Sequence, residues 1–269
     1  MFNIEDLNDF ILDKEVYKNV IEKSENELGV SLSLQTFVEL ELLIKMNEIS
    51  NAETDEHRVN QAINILFAQA IKSFKSCIIL ATNGYFPNAL INLRNIVEII
   101  FNVKYIVEES NKKLKRANDY LSVEGYWTVD SIKARSCLTL DKPLYKVYTI
   151  LCGYSHSNYM GTGQNFDGKN ISINPSEKKA KPTIEFINSI YYYLIKFICG
   201  YFNIKSEYFD NIQFQDNFDK IIEMYDTEKS VIDFVLDIVE DAGWSQQDKA
   251  DLIREYKEIM IGGKKKKKM

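Results

Sequence analysis

Apolar residues recur at three- and four-residue steps along most of this chain, the period of a helix with one buried side. Over residues 4–27 they fall at Leu7, Phe10, Ile11, Val16, Val20 and Ile21, which predicts an amphipathic helix. A second helix, rich in Leu and Glu, is predicted from Leu34 to Ile49. The longest pattern, Thr54 to Thr82, puts Val59, Ile63, Phe67, Ile71, Phe74 and Ile78 on one face. Asn83-Gly84-Tyr85 ends it, because Asn and Gly accept the left-handed backbone that stops a helix. Pro87 then opens the next helix in its first turn, where its missing N–H costs nothing. Thr54–Thr82 and Pro87–Glu108 are therefore expected to form an antiparallel helical hairpin.

Shorter helices are predicted at Lys112–Leu121 and Val129–Cys137, and a longer one at Asp141–Tyr154 with Pro143 in its first turn. Around 160–182 the pattern breaks. Gly161, Gly163 and Gly168 flank polar residues and an alternating piece, Asn170-Ile171-Ser172-Ile173-Asn174, read as a small β-hairpin or a loop insertion. Thr183 can cap a helix to about Tyr201, with Ile187, Ile190, Tyr191, Leu194, Ile195 and Ile198 on its apolar face. Beyond Ser206 the chain is more acidic, and Ser245-Gln246-Gln247-Asp248 matches a capping box in outline. The expected class is all-α, organised as N-terminal helices (1–50), a helical core (51–204), a C-terminal helical appendage (205–262) and a disordered lysine tail (263–269).

Composition narrows the function classes. With 269 residues, 45% of them hydrophobic, the chain can bury a full core. Its four cysteines, Cys77, Cys137, Cys152 and Cys199, show no paired spacing, which argues against a zinc site and fits reduced thiols, each read as a core residue. The chain begins with acidic residues rather than a charged-then-apolar leader, and no run of eighteen apolar residues occurs. A cytoplasmic protein with no membrane span is expected. The formal charge of −6 includes five positives at Lys264–Lys268; without them the body stands at −11. An acidic body disfavours a broad phosphate-binding surface. The basic clusters Lys112-Lys113-Leu114-Lys115-Arg116 and Lys178-Lys179-Ala180-Lys181 are read as solvated surface.

Two segments carry candidate chemistry. Between Asn88 and Tyr105, Arg94 and Glu98 sit four residues apart inside an otherwise oily helix, with Asn88, Asn92, Asn95, Asn102 and Tyr105 on the same side. The segment Leu151-Cys152-Gly153-Tyr154-Ser155-His156-Ser157-Asn158 holds one of only two histidines, the residue that titrates nearest neutrality. Arg94 and Glu98 are either an internal polar network that fixes helix packing or part of a site. In either case they are expected to be substantially buried and hydrogen-bonded. His156 is either a helix-end imidazole satisfied by Tyr154, Ser155 and Asn158, or a general acid/base or phosphate contact. Economy of polar satisfaction places His156 in one pocket with Arg94 and Glu98. The second histidine, His57, is expected at the surface. Phosphate-binding, dinucleotide-binding and serine-hydrolase motifs are absent, and two distant histidines offer no histidine-rich metal site. No cofactor is expected.

The stretch Ala81-Thr82-Asn83-Gly84-Tyr85-Phe86-Pro87-Asn88-Ala89-Leu90-Ile91-Asn92-Leu93-Arg94-Asn95-Ile96-Val97-Glu98 resembles a recurrent pattern in a bacterial family of unknown function. Tyr148-Thr149-Ile150-Leu151-Cys152-Gly153-Tyr154-Ser155-His156 looks like the same family's second signature, and the resemblance covers roughly residues 55–200. That family is similar to HEPN-type all-helical domains of phage-defence, abortive-infection and toxin–antitoxin systems. The resemblance implies a HEPN-like bundle serving a bacterial defence or stress response as a binding or effector component. It implies RNA or a partner protein as the target, and a homo-oligomer. The alternative it implies is a metal-independent ribonuclease with Arg94, Glu98 and His156 as catalytic residues and Asn95, Asn102, Tyr154, Ser155 and Asn158 as ligand contacts. The contiguous arginine–polar–histidine motif of active HEPN ribonucleases is missing here: Ile99, Ile100, Phe101 and Asn102 follow Arg94-Asn95, and no arginine stands at 149–152.

Overall fold

The computed structural model describes residues 14–51, 56–122, 142–155 and 180–212, with Ser245 and Gln247, and among these it is helical with no strand. The helices are α1 (Lys14–Lys23), α2 (Glu25–Phe37), α3 (Leu43–Asn51), α4 (His57–Thr82), α5 (Phe86–Val107), α6 (Lys113–Leu121), α7 (Lys142–Ser155), α8 (Ala180–Tyr201) and the single turn α9 (Glu207–Asp210). The alternating piece at 170–174, the helix expected at 129–137 and the lysine tail lie outside the described residues.

The α4–α5 hairpin forms as the sequence predicts. Gly84 takes a left-handed φ of 79°. That conformation lets Tyr85 N–H reach the Leu80 carbonyl at 2.8 Å and Gly84 N–H reach Ala81 at 3.0 Å, the paired bonds of a Schellman stop. Asn83 adds a side-chain bond to the Ile79 carbonyl, and Pro87 lies in the first turn of α5. Asn203, at φ 52°, closes α8 with the same pair of bonds, Ile204 to Cys199 and Asn203 to Gly200. Residues 57–82 are long and apolar enough to cross a membrane by composition alone. Their apolar face, including Val59, Ile63, Phe67 and Phe74, lies in the protein core.

The N-terminal region departs from expectation. The first helix does not run to 27, because a turn at Ser24 separates α1 from α2. The gap expected before Leu34 does not exist; α2 starts at Glu25 and passes straight through Gly29. A π-turn at Val38–Leu42, with Leu43 N–H reaching back to the Val38 carbonyl, joins α2 to α3 in one rod. Its cause lies in the spacing of the buried side. Leu34, Val38, Leu42, Met46 and Ser50 are buried at four-residue steps. In an unbroken α-helix each such step swings the side chain by about 40°. One extra residue in a π-turn takes back about 100° and keeps the row facing the core.

Helix α8 lies centrally, against α2, α4 and α5. It begins at Ala180, so Thr183 is not its cap; Thr183 is buried inside the first turn. A polar clasp ties α8 to α2: Ser31 Oγ donates to Asn188 Oδ1 at 2.7 Å, and Asn188 Nδ2 donates to the Glu27 carbonyl at 2.7 Å. Beside it the Tyr191 ring stacks on Phe74 at 3.9 Å. The Tyr191 hydroxyl is buried with no hydrogen-bond partner among the described residues, and burial drives its pKa upward. Stranding a hydroxyl costs about 1–3 kcal/mol. Tyr191→Phe keeps the stack and removes that cost, so chemical denaturation should show a gain of roughly 1 kcal/mol; a loss of that size would mean the hydroxyl is satisfied.

Helix α9 hangs from the π-turn. Ser206 Oγ caps it by accepting from Phe209 N–H at 3.2 Å and donates to Glu41 Oε2 at 2.6 Å. The Phe209 ring stacks on Phe37 at 4.9 Å and on Tyr192 at 5.0 Å.

Candidate functional site

Helix α7 presents two neighbouring rows. Leu144, Val147 and Leu151 are fully or almost fully buried, and α7 packs along α5. One step round, Tyr145, Tyr148 and Cys152 are only partly covered. Phe101 of α5, itself buried, meets the Tyr148 ring edge-on at 6.3 Å. That contact brings the partly covered row of α7 beside the polar side of α5.

The polar side holds the expected pair. Arg94 Nε donates to Glu98 Oε1 at 3.0 Å, and Nη2 stands 2.9 Å from the same oxygen. The guanidinium also lies 5.5 Å from the centre of the Tyr148 ring, a cation–π contact across the two helices. Burial opposes the Arg94 charge, but the Glu98 carboxylate outweighs it, with help from Cys152 and Tyr148, so its pKa is raised. Tyr148 moves up as well, first through burial and then through a hydrogen bond shared with Cys152, with Arg94 pulling the other way. The site therefore holds the Arg94 cation between Glu98 and the Tyr148 ring, with Cys152 beside the phenol.

The pair is less buried than expected. The Arg94 and Glu98 side chains are 27% and 22% exposed, because Asn95, one residue on, already faces solvent. The penalty for breaking it falls between that of an exposed pair and that of a fully buried one. Arg94→Ala should destabilise the fold by about 1–2 kcal/mol in urea titrations. A loss under about 0.5 kcal/mol would reduce the pair to surface decoration.

The other candidates are placed unevenly. Asn102, one turn beyond Glu98, is buried; its Nδ2 donates to the Glu98 carbonyl at 2.8 Å while its Oδ1 is buried without a partner among the described residues. Tyr154 and Ser155 fall in the last turn of α7. His156 and Asn158 lie outside the described residues. His57 is exposed, as expected, with its Nδ1 2.7 Å from the Ser50 carbonyl.

Sequence reasoning missed two groups. Tyr148 and Cys152 were legible as a four-residue step ending at His156, but Cys152 read as ordinary core. Arg116 was assigned to a solvated lysine cluster, and that reading is wrong. Its side chain is only 6% exposed. Nη1 donates to the Tyr105 carbonyl at 2.6 Å, Glu108 lies at 3.4 Å, Nη2 bonds Glu109, and the guanidinium stacks 3.9 Å above the Tyr105 ring. The neighbouring Lys112 and Lys113 pair with Glu109 and Glu56, so this cluster holds the α5–α6 corner together.

Among known families, the model of a family of unknown function (DUF5677) matches residues 60–136. The matched stretch covers most of α4, all of α5 with Arg94 and Glu98, and α6, and stops before α7. No curated protein and no solved structure matches the chain.

Proposed function

We propose that this chain is a binding or effector component of a bacterial defence or stress-response system, of HEPN-like type, which engages its target through the polar face shared by α5 and α7. One observation carries the reading. Arg94 is held on one side by Glu98 and over Tyr148 on the other, so its geometry is fixed while its charge is largely neutralised. A side chain held in that way suits recognition, where preorganisation lowers the cost of binding. It suits transition-state charge stabilisation less well, because an oxyanion would compete with Glu98 for the same donors.

Register favours one alternative, a metal-independent endoribonuclease. Tyr148 and Cys152 stand beside Arg94 at a four-residue step of α7, and the next such step in the sequence is His156. In that reading His156 moves the proton and Arg94 steadies the phosphate.

One experiment separates the two. The parent, Arg94→Ala and His156→Ala chains are expressed in bacteria and scored for growth and for integrity of total RNA. The binding reading predicts intact RNA with all three, and any growth defect of the parent relieved by Arg94→Ala. RNA cleaved by the parent and spared by His156→Ala would replace the binding reading with the ribonuclease.

A further inference from the structure

Acidic residues are spread through this chain except in one stretch. From His57 to Val97, which takes in all of α4 and the first half of α5, no Asp or Glu occurs. The stretch holds four cations, Arg58, Lys72, Lys75 and Arg94, so the rest of the chain stands at −10. Three of the four lie on α4, and all three are exposed.

The outward face of α4 has a repeat as well as a charge. Arg58, Ile65, Lys72 and Ile79 follow one another at seven-residue steps, with Ala68 and Lys75 three residues after the middle two. All six are exposed, Ile65 and Ile79 by 48% and 61%. Alternating three- and four-residue steps are the spacing at which one helix takes a second along its length. The core side of α4 already packs on α5 and α8, and no described helix covers this second seam.

The chain itself supplies an acidic segment with the same step. Past the described helices, Met224, Val231 and Ile238 recur every seven residues, with Phe234 three after Val231. Between Met224 and Asp241 stand six acidic residues and one basic one. Glu228 and Asp237 take positions that flank such a seam, where charge selects the partner. The exit of the chain points the same way. Ser206, the cap of α9, donates to Glu41, and Lys75 of the seam pairs with Glu39, two residues away on the same π-turn. Residues 213–223 lead from there to Met224 and span at most about 36 Å, against about 39 Å for the whole of α4.

We infer that residues 224–241 lie along the outward face of α4 as an acidic helix, with the Val231 row on Ile65 and Ile79 and the flanking carboxylates beside Arg58 and Lys72. The connection holds the segment at a local concentration on the order of millimolar, so a contact too small to join separate molecules is filled within one chain. Salt screens its charged part, so docking loosens as ionic strength rises.

The test is hydrogen exchange in the full chain, read as the rate in 224–241 relative to α5. In the parent, 224–241 should exchange well below the rate of an unfolded peptide, and faster as salt is added. Lys72→Glu, or Ile65→Ser with Ile79→Ser, should speed it by about tenfold. These side chains are exposed, so the amides of α5 should keep their protection, which separates release of the segment from loss of fold. Glu228→Lys with Asp237→Lys, added to Lys72→Glu, should slow the exchange again. Unfolded-peptide rates for 224–241 in the parent would overturn the inference. So would protection that none of these substitutions changes, or protection that grows with protein concentration, since a second copy would then be the occupant.

Discussion

Arg116→Ala should destabilise the fold by about 3–5 kcal/mol, the usual loss when one partner of a buried charged network is removed. Three groups depend on that guanidinium. The Tyr105 carbonyl loses its donor, Glu108 is left 15% exposed without its cation, and the Tyr105 ring loses the group stacked on it. Water cannot readily replace the guanidinium, because this corner packs α6 against α4 and α5. Arg116→Lys should recover little of the loss, since an ammonium cannot reach a carbonyl and two carboxylates in one plane. Urea denaturation of the two variants is the check. A loss under about 1 kcal/mol for Arg116→Ala would mean that the network is open to solvent.

The second large effect is expected at Phe101→Ala. Phe101 is 1% exposed and bridges α5 to α7 through the Tyr148 ring. Emptying a site of that size costs about 3–5 kcal/mol, through lost transfer energy and the cavity left behind. The damage should also be directional. Tyr148 and Cys152 reach the Arg94–Glu98 pair only because α7 is seated on α5, so hydrogen exchange in 142–155 should rise more than in the α4–α5 hairpin. Uniform loosening across both would show that Phe101 serves the core at large rather than the seat of α7.

The sequence made the hairpin legible because its signals are local: Asn83-Gly84 and Pro87 specify backbone angles regardless of what packs around them. The α2–α3 rod was misread for the opposite reason. The helices predicted over 4–27 and 34–49 left residues 28–33 between them unassigned, and a π-turn follows from the geometry of a buried row that only the folded core defines. The site divides along the same line. Arg94 and Glu98 stand out as charges in an apolar helix, and their four-residue spacing is sufficient to predict their bond. Whether they would be deeply or partly buried depended on how far α7 covers α5, which no periodicity within α5 records. Arg116 was hidden by its neighbours, since four of the five residues from Lys112 to Arg116 are basic and its acidic partners lie across a helix end. The expected placement of His156 beside Arg94 falls outside the described residues.

The clasp between Ser31 and Asn188 joins residues 157 apart in sequence, and that separation has a consequence during synthesis. At about 5–20 residues per second, the rod formed by α2 and α3 leaves the ribosome on the order of ten seconds before α8 exists. The α4–α5 hairpin can close almost as soon as it emerges, since a three-residue connection costs little entropy. The buried row Leu34–Ser50 has no such early partner in α8. The nascent chain therefore passes through an interval in which the part of that row awaiting α8 is open, while its α3 end already meets α4 through Asn64 and Ser50, and in a polysome a neighbouring chain could capture the open part. Slowing translation between Asn51 and Ala180 should lengthen that interval and raise the aggregated fraction.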